Sequence, residues 1–99
     1  MTSAPEPVGV TDHPDAHRYE ARIGDRLVGH VRYRLEPGRI VFTHTETDPS
    51  AQGHGVASQL AAFVLDDARA RGLSVTPRCP FIARFIDEHP GYADLVAPS

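Results

Sequence analysis

Three short segments hold the residues able to do chemistry. Gln52-Gly53-His54-Gly55-Val56-Ala57 sets two glycines one residue apart just before an apolar stretch of helical period. Glycines let a backbone approach a ligand closely, and the first turn of a helix carries amides without intrahelical acceptors. Such a turn suits a pyrophosphate. An ordinary glycine loop entering a helix is the plainer alternative, because short glycine motifs are weak signals. His44 and Glu46 stand two apart on a predicted strand, hence on one face and about 7 Å apart. Strict alternation places Ile40 and Phe42 on that same face. A carboxylate there can take a proton from an incoming ammonium, directly or through a water; a solvated strand end paired with an arginine is the alternative. Cys79 precedes Pro80 at a predicted helix start, where partial positive charge favours a thiolate. Nucleophile, proton donor and buried structural thiol all stay open for it.

The elements that must position these residues follow from period and punctuation. Residues 1–14 read as a flexible arm, with Val8 to Val10 as a short edge strand; the domain proper runs over 15–97. From His17, Tyr19, Ala21 and Ile23 alternate with Arg18, Glu20 and Arg22, and Gly24-Asp25 supplies a hairpin turn. In the next run Leu27, Gly29, Val31, Tyr33 and Leu35 share one face, and Val28, His30, Arg32 and Arg34 the other. Glu36-Pro37-Gly38 turns the chain into a strand from Arg39 to about Thr47. The period then changes: Val56, Leu60, Val64 and Ala68, flanked by Ala57, Ala61 and Leu65, predict an amphipathic helix to about Arg71. Gly72 ends it. Leu73 to Thr76 reads as a buried strand closed by Pro77. Pro80 opens a second helix that His89-Pro90-Gly91 stops, with Tyr92 and Leu95 folding back. The order β-β-β-α-β-α predicts an α+β domain, an antiparallel meander followed by a βαβ unit and a C-terminal helix. Ligands of a parallel βαβ unit bind beyond the carboxyl ends of its strands. Topology therefore brings the glycine turn and the lone cysteine to one end of the sheet.

Composition narrows the chemistry further. The 99 residues suit one domain. All ten basic residues are arginine, so mechanisms needing a lysine amine, such as a P-loop lysine or a Schiff base, are excluded. A net charge of −3 gives no reason to expect nucleic-acid binding, and no stretch is apolar and long enough for a membrane span. No secretory signal is read at the N-terminus, and a single cysteine fits a reducing compartment, so a cytoplasmic location is expected. The six histidines show no Cys/His zinc spacing. His44-x-Glu46 with Cys79 alone lacks the second thiolate of a zinc deaminase. No metal is expected. His30 and the arginines of its strand are read as surface.

Gln52 to Ala57 resembles the Gln/Arg-x-x-Gly-x-Gly/Ala signature of the GCN5-related N-acetyltransferase superfamily. Phe42-Thr43-His44-Thr45-Glu46 and Thr76-Pro77-Arg78-Cys79-Pro80-Phe81 resemble its minimal branch of about a hundred residues, in which the cysteine and the glycine loop are hallmark motifs. The likeness covers roughly Tyr19 to Val96. It implies acetyl-CoA as cosubstrate, with backbone around Gly53, His54, Gly55, Val56 and Ala57 on the pyrophosphate and the strand end near Thr45 and Thr47 pairing with the pantetheine. It also implies acetyl transfer to an amine acceptor. A monomer or weak dimer is expected. Glu46 and His44 would receive the proton, and Cys79 would either carry the acetyl group or face the departing coenzyme thiol. Tyr92 is the other acid the family suggests. Two features depart from the pattern. Gln52 and His54 stand where cations are commoner, implying modest phosphate affinity, and nothing corresponds to the N-terminal helices that wall the acceptor site of larger members. A non-catalytic acyl-CoA binding or sensing module and a thiol-based interaction domain are the rival expectations.

Overall fold

The computed structural model describes residues 8–51 and 55–96. Five strands form one sheet in chain order: β1 (Val8–His13), β2 (Arg18–Ile23), β3 (Arg26–Glu36), β4 (Arg39–Thr47) and β5 (Ser74–Pro77). The first four run antiparallel, and β5 joins β4 in parallel after α1 (Val56–Ala70). Then come α2 (Pro80–Glu88) and a 3₁₀ segment, Pro90–Leu95. This is the α+β order predicted. The edge strand expected at Val8 to Val10 continues to His13, in register with β2.

The apolar stripe of α1 is buried as its period demands: Val56, Leu60, Ala61, Val64, Leu65 and Ala68. They meet Tyr19, Ala21, Val31, Ile40 and Phe42 of the sheet, and Ile82, Phe85 and Ile86 of α2 complete one continuous core. Two tyrosines reach through it to carboxylates. Tyr19 Oη donates to Asp67 of α1 at 2.6 Å, and Tyr33 Oη donates to Asp12 of β1 at 2.6 Å. Burial, then these hydrogen bonds to anions, pushes both phenols well above their ordinary range.

Strict alternation fails at two bulges, and the predicted faces need correcting there. Between β2 and β3 the register steps from Ala21↔Gly29 to Arg22↔Leu27, leaving Val28 as an extra residue. Val28 turns into the core, while Leu27 and Leu35 lie exposed. Between β3 and β4 it steps from Tyr33↔Phe42 to Arg32↔His44, leaving Thr43 extra. Beyond that bulge the covered face carries Thr45 and Thr47 rather than His44 and Glu46. Ile40 and Phe42 therefore do not share a face with His44 and Glu46.

Across the opposite face run two cross-strand rows, Thr11–Glu20–His30–Glu46 and His13–Arg18–Arg32–His44. Glu20 is buried within them and paired with Arg18 at 2.6 Å and Arg22 at 2.9 Å. Burial alone would raise its carboxyl. Hydrogen bonds from Arg18 and Arg22, with His13 nearby, outweigh that and hold it below the usual carboxylate range. No described helix is long and apolar enough to cross a membrane.

Candidate functional site

The β4–β5 ladder stops at Phe42↔Pro77. Residues 43–47 of β4 run on past it, paired with β3 alone among the strands. The chain after β5 turns away because the amides of Arg78 and Cys79 both donate to the Phe42 carbonyl, at 3.0 and 2.9 Å. Two parallel strands thus part at the carboxyl edge, where the expected ligand end lies.

The first turn of α1 closes this end. The Asp48 amide donates to the Val28 carbonyl at 2.8 Å, and the Ala51 amide to the Asp48 carbonyl at 2.9 Å, so the chain leaves β4 along a fixed path. Gly55 then enters the helix at φ 67°, ψ 27°, the left-handed conformation in which a side chain is strained. No acidic residue occupies the first turn, and its amides have no acceptors within the helix. They border an open cavity of about 280 Å³ lined by Thr47, Asp48, Ala51 and residues 55–58. Backbone donors and a glycine at the approach suit an anion, while Asp48 brings a carboxylate to the same cavity. Gln52, Gly53 and His54 lie outside the described residues. Gly55, Val56 and Ala57 line the cavity with Thr47.

Cys79 is the N-cap residue of α2 and only 3% exposed. Its thiol donates to Thr45 Oγ1 at 3.1 Å, which ties the helix start to the part of β4 that has outrun β5. Predicted cysteine and predicted strand end are therefore in contact, through a threonine that the bulge at Thr43 turns inward. His44 and Glu46 project from the opposite face of the same strand, 57% and 66% exposed, with Nε2 and Oε2 3.6 Å apart. The structure thus divides the expected residues between the two sides of β4. Tyr92 is elsewhere. Its hydroxyl donates to Asp66 at 2.9 Å, about 15 Å along α1 from Val56.

His30 joins His44 and Glu46, a neighbour the sequence reading left as surface. Its Nε2 lies 3.7 Å from Glu46 Oε2, and its side chain is 15% exposed. Burial, with Arg18, Arg32 and His44 adding to it and Glu46 opposing, holds its imidazolium form below the ordinary histidine range. Cross-strand pairing of His30 with Glu46 creates this contact, and only register could have revealed it.

A meander whose fourth strand parts from a parallel fifth, followed by a C-terminal helix, defines an α+β fold with a βαβ-like unit. A family profile described as GCN5-related N-acetyl-transferase matches residues 18–95, and the chain belongs to that family. Among solved structures, the fold is similar to that of a GCN5-like protein from Staphylococcus aureus determined by NMR. The TM-score is 0.64 at 17% identity, over 98% of this chain and 93% of that one. It is also similar to the ribosomal-protein-alanine N-acetyltransferase of Brucella melitensis biovar Abortus 2308. There the TM-score is 0.54 at 24% identity, over 83% of this chain and 62% of that one. No curated protein matches the chain significantly.

Proposed function

We propose that this protein is an acetyl-CoA-dependent N-acetyltransferase acting on an amine that approaches the uncovered face of the sheet. One observation carries the reading: residues 43–47 of β4 continue past the end of the β5 ladder and lead toward the first turn of α1, entered at Gly55. Acetyl-CoA, when bound, supplies an activated thioester. The first-turn amides at Gly55, Val56 and Ala57 hold its pyrophosphate, with Gln52, Gly53 and His54 of the same motif. The backbone at Thr45 and Thr47 holds the pantetheine arm, and a β4 amide polarises the thioester carbonyl.

Glu46, with His44 beside it, takes the ammonium proton and so frees the amine to attack. A C–N bond forms as the C–S bond breaks, the Cys79 thiol gives a proton to the departing thiolate, and the second proton of the nitrogen returns to the Cys79 thiolate through solvent. Glu46 and Cys79 lie on opposite faces of β4, which keeps the acceptor of one proton apart from the donor of the other. That separation favours direct transfer over an acetyl-cysteine intermediate. The lone thiol suits the cytoplasm, where we place the protein.

Release of free coenzyme thiol across a panel of primary amines tests the reading. Glu46→Gln is expected to slow turnover by about 10²-fold or more, the usual worth of a general base, with acetyl-CoA affinity unchanged. Gly55→Trp is expected to abolish both. Intact mass after incubation with acetyl-CoA should show no acetyl group on Cys79; an adduct absent from Cys79→Ala would replace direct transfer by a two-step route. Binding without turnover on every amine would overturn the enzymatic claim and leave an acyl-CoA-binding module.

A further inference from the structure

We propose that His30, His44 and Glu46 form a binding site for a divalent transition ion of zinc's kind on the uncovered face of the sheet. The inference does not rest on the coenzyme reading, and its test needs no acetyl-CoA; an ion held by Glu46 and His44 would occupy the proposed proton acceptor, so the metal-bound protein is the form that does not transfer acetyl.

Geometry is the first support. One ring nitrogen from each histidine and one oxygen of Glu46 lie within 4.8 Å of one another. The Nε2 atoms of His30 and His44 stand 3.7 and 3.6 Å from Glu46 Oε2. These spacings are too long for hydrogen bonds. They are close to what a shared ion requires, because nitrogen and oxygen ligands about 2.0–2.1 Å from a tetrahedral zinc stand roughly 3.4 Å apart. The two histidine–carboxylate edges need only a few tenths of an ångström, and the histidine–histidine edge, within 4.8 Å, closes by up to about 1.4 Å through rotation of the exposed His44 side chain.

The state of His30 is the second support. Its Nε2 is shielded from solvent yet has no hydrogen-bond partner among the described residues. An orphaned buried nitrogen costs free energy unless something fills its lone pair or takes its proton. A cation between it and Glu46 Oε2 would do so, and a neutral imidazole is the ligand form. Two imidazoles and one carboxylate match the borderline donor preference of zinc and leave a coordination position open. That position faces solvent beside a hollow of about 300 Å³ bordered by His30, Glu46, Thr47 and Asp48. The nearby Arg18 is engaged by Glu20 at 2.6 Å, which limits its repulsion of a cation. The ladder builds the site: Glu46 lies directly across from His30 and His44 one row further along, so no spacing along the chain announces it.

The test is a Zn²⁺ titration of the metal-stripped protein, followed by the imidazole nitrogens in long-range ¹H–¹⁵N spectra. The expected result is a joint shift of His30 and His44 Nε2, saturating at one equivalent with micromolar affinity, while His13, His17 and His89 stay still. His44→Gln is expected to weaken binding by about tenfold or more. Because His44 is exposed, this variant should keep the far-ultraviolet spectrum of the wild type and so report on the site rather than on folding. Glu46→Gln should weaken Zn²⁺ in the same way. The proposal is overturned if the two imidazoles respond at different Zn²⁺ concentrations, if neither responds at millimolar Zn²⁺, or if His44→Gln binds as tightly as the wild type.

Discussion

Replacing Gly55 by L-alanine and by D-alanine separates the conformation of the turn from the space around it. At φ 67° and ψ 27° an L-residue is strained by about 1–2 kcal/mol. Crowding adds little, since a Cβ built there has Gln59 Nε2 as its nearest neighbour at 3.9 Å, an ordinary contact. Either alanine stiffens the unfolded chain relative to glycine, which stabilises by roughly 0.4–1 kcal/mol. That gain is common to both and cancels in the comparison. The D-form favours positive φ and escapes the strain. The D-alanine protein should therefore be more stable than the L-alanine protein by about 1–2 kcal/mol, or roughly 4–8 °C in Tm per kcal/mol for a domain of this size. Both chains can be made by synthesis and ligation at Cys79, the one cysteine, and compared by urea unfolding. Equal stability, or a more stable L-form, would refute the left-handed turn at the mouth of the proposed coenzyme site.

Gly29→Ala tests the close approach of α1 to the sheet. A Cβ there would lie 3.0 Å from Leu60 Cδ1 and 3.1 Å from the Glu46 carbonyl oxygen, and strand backbone yields little. A net loss of about 1–2 kcal/mol is expected by chemical denaturation, and an unchanged midpoint would contradict it. Tyr19→Phe removes the hydroxyl on Asp67 and should cost about 1–2 kcal/mol, somewhat below a fully buried bond to a charge because Asp67 regains water. A stability equal to the wild type would show that this bond contributes nothing. Glu20 sets a pH dependence. Its folded carboxyl lies below its unfolded value, so its stabilisation is present above the ordinary carboxylate range and fades as pH falls through the folded value. The stability gap between wild type and Glu20→Gln should be flat near neutrality and narrow below about pH 4.5; a gap that widens on acidification would reverse the sign.

Much of this fold is written in local pattern. The change from a two-residue to a 3.6-residue period at Val56, proline at the first position of α2 and glycine at the turns sufficed for the order of elements and for most of the α1 face. What escaped is non-local. The bulges at Val28 and Thr43 are set by how strands pair, and one extra residue exchanges the faces of everything beyond it. Alternation read along β4 thus joined His44 and Glu46 to the apolar Ile40 and Phe42, whereas the structure gives that face to Thr45, where it meets Cys79. His30 was missed for the same reason, since its partners lie across a ladder. The end of β1 was missed because His13 is polar and its place in the strand comes from pairing with Arg18.

Titration of the ¹⁵N-labelled protein with acetyl-CoA, read residue by residue from amide shifts, tests the central claim most directly. The account predicts saturable shifts below millimolar coenzyme, strongest at residues 55–58 and at Thr45 and Thr47 of β4, with the far end of α1 near Asp66 unmoved. Silence at those amides at millimolar acetyl-CoA, or saturable shifts confined to another face, would contradict it.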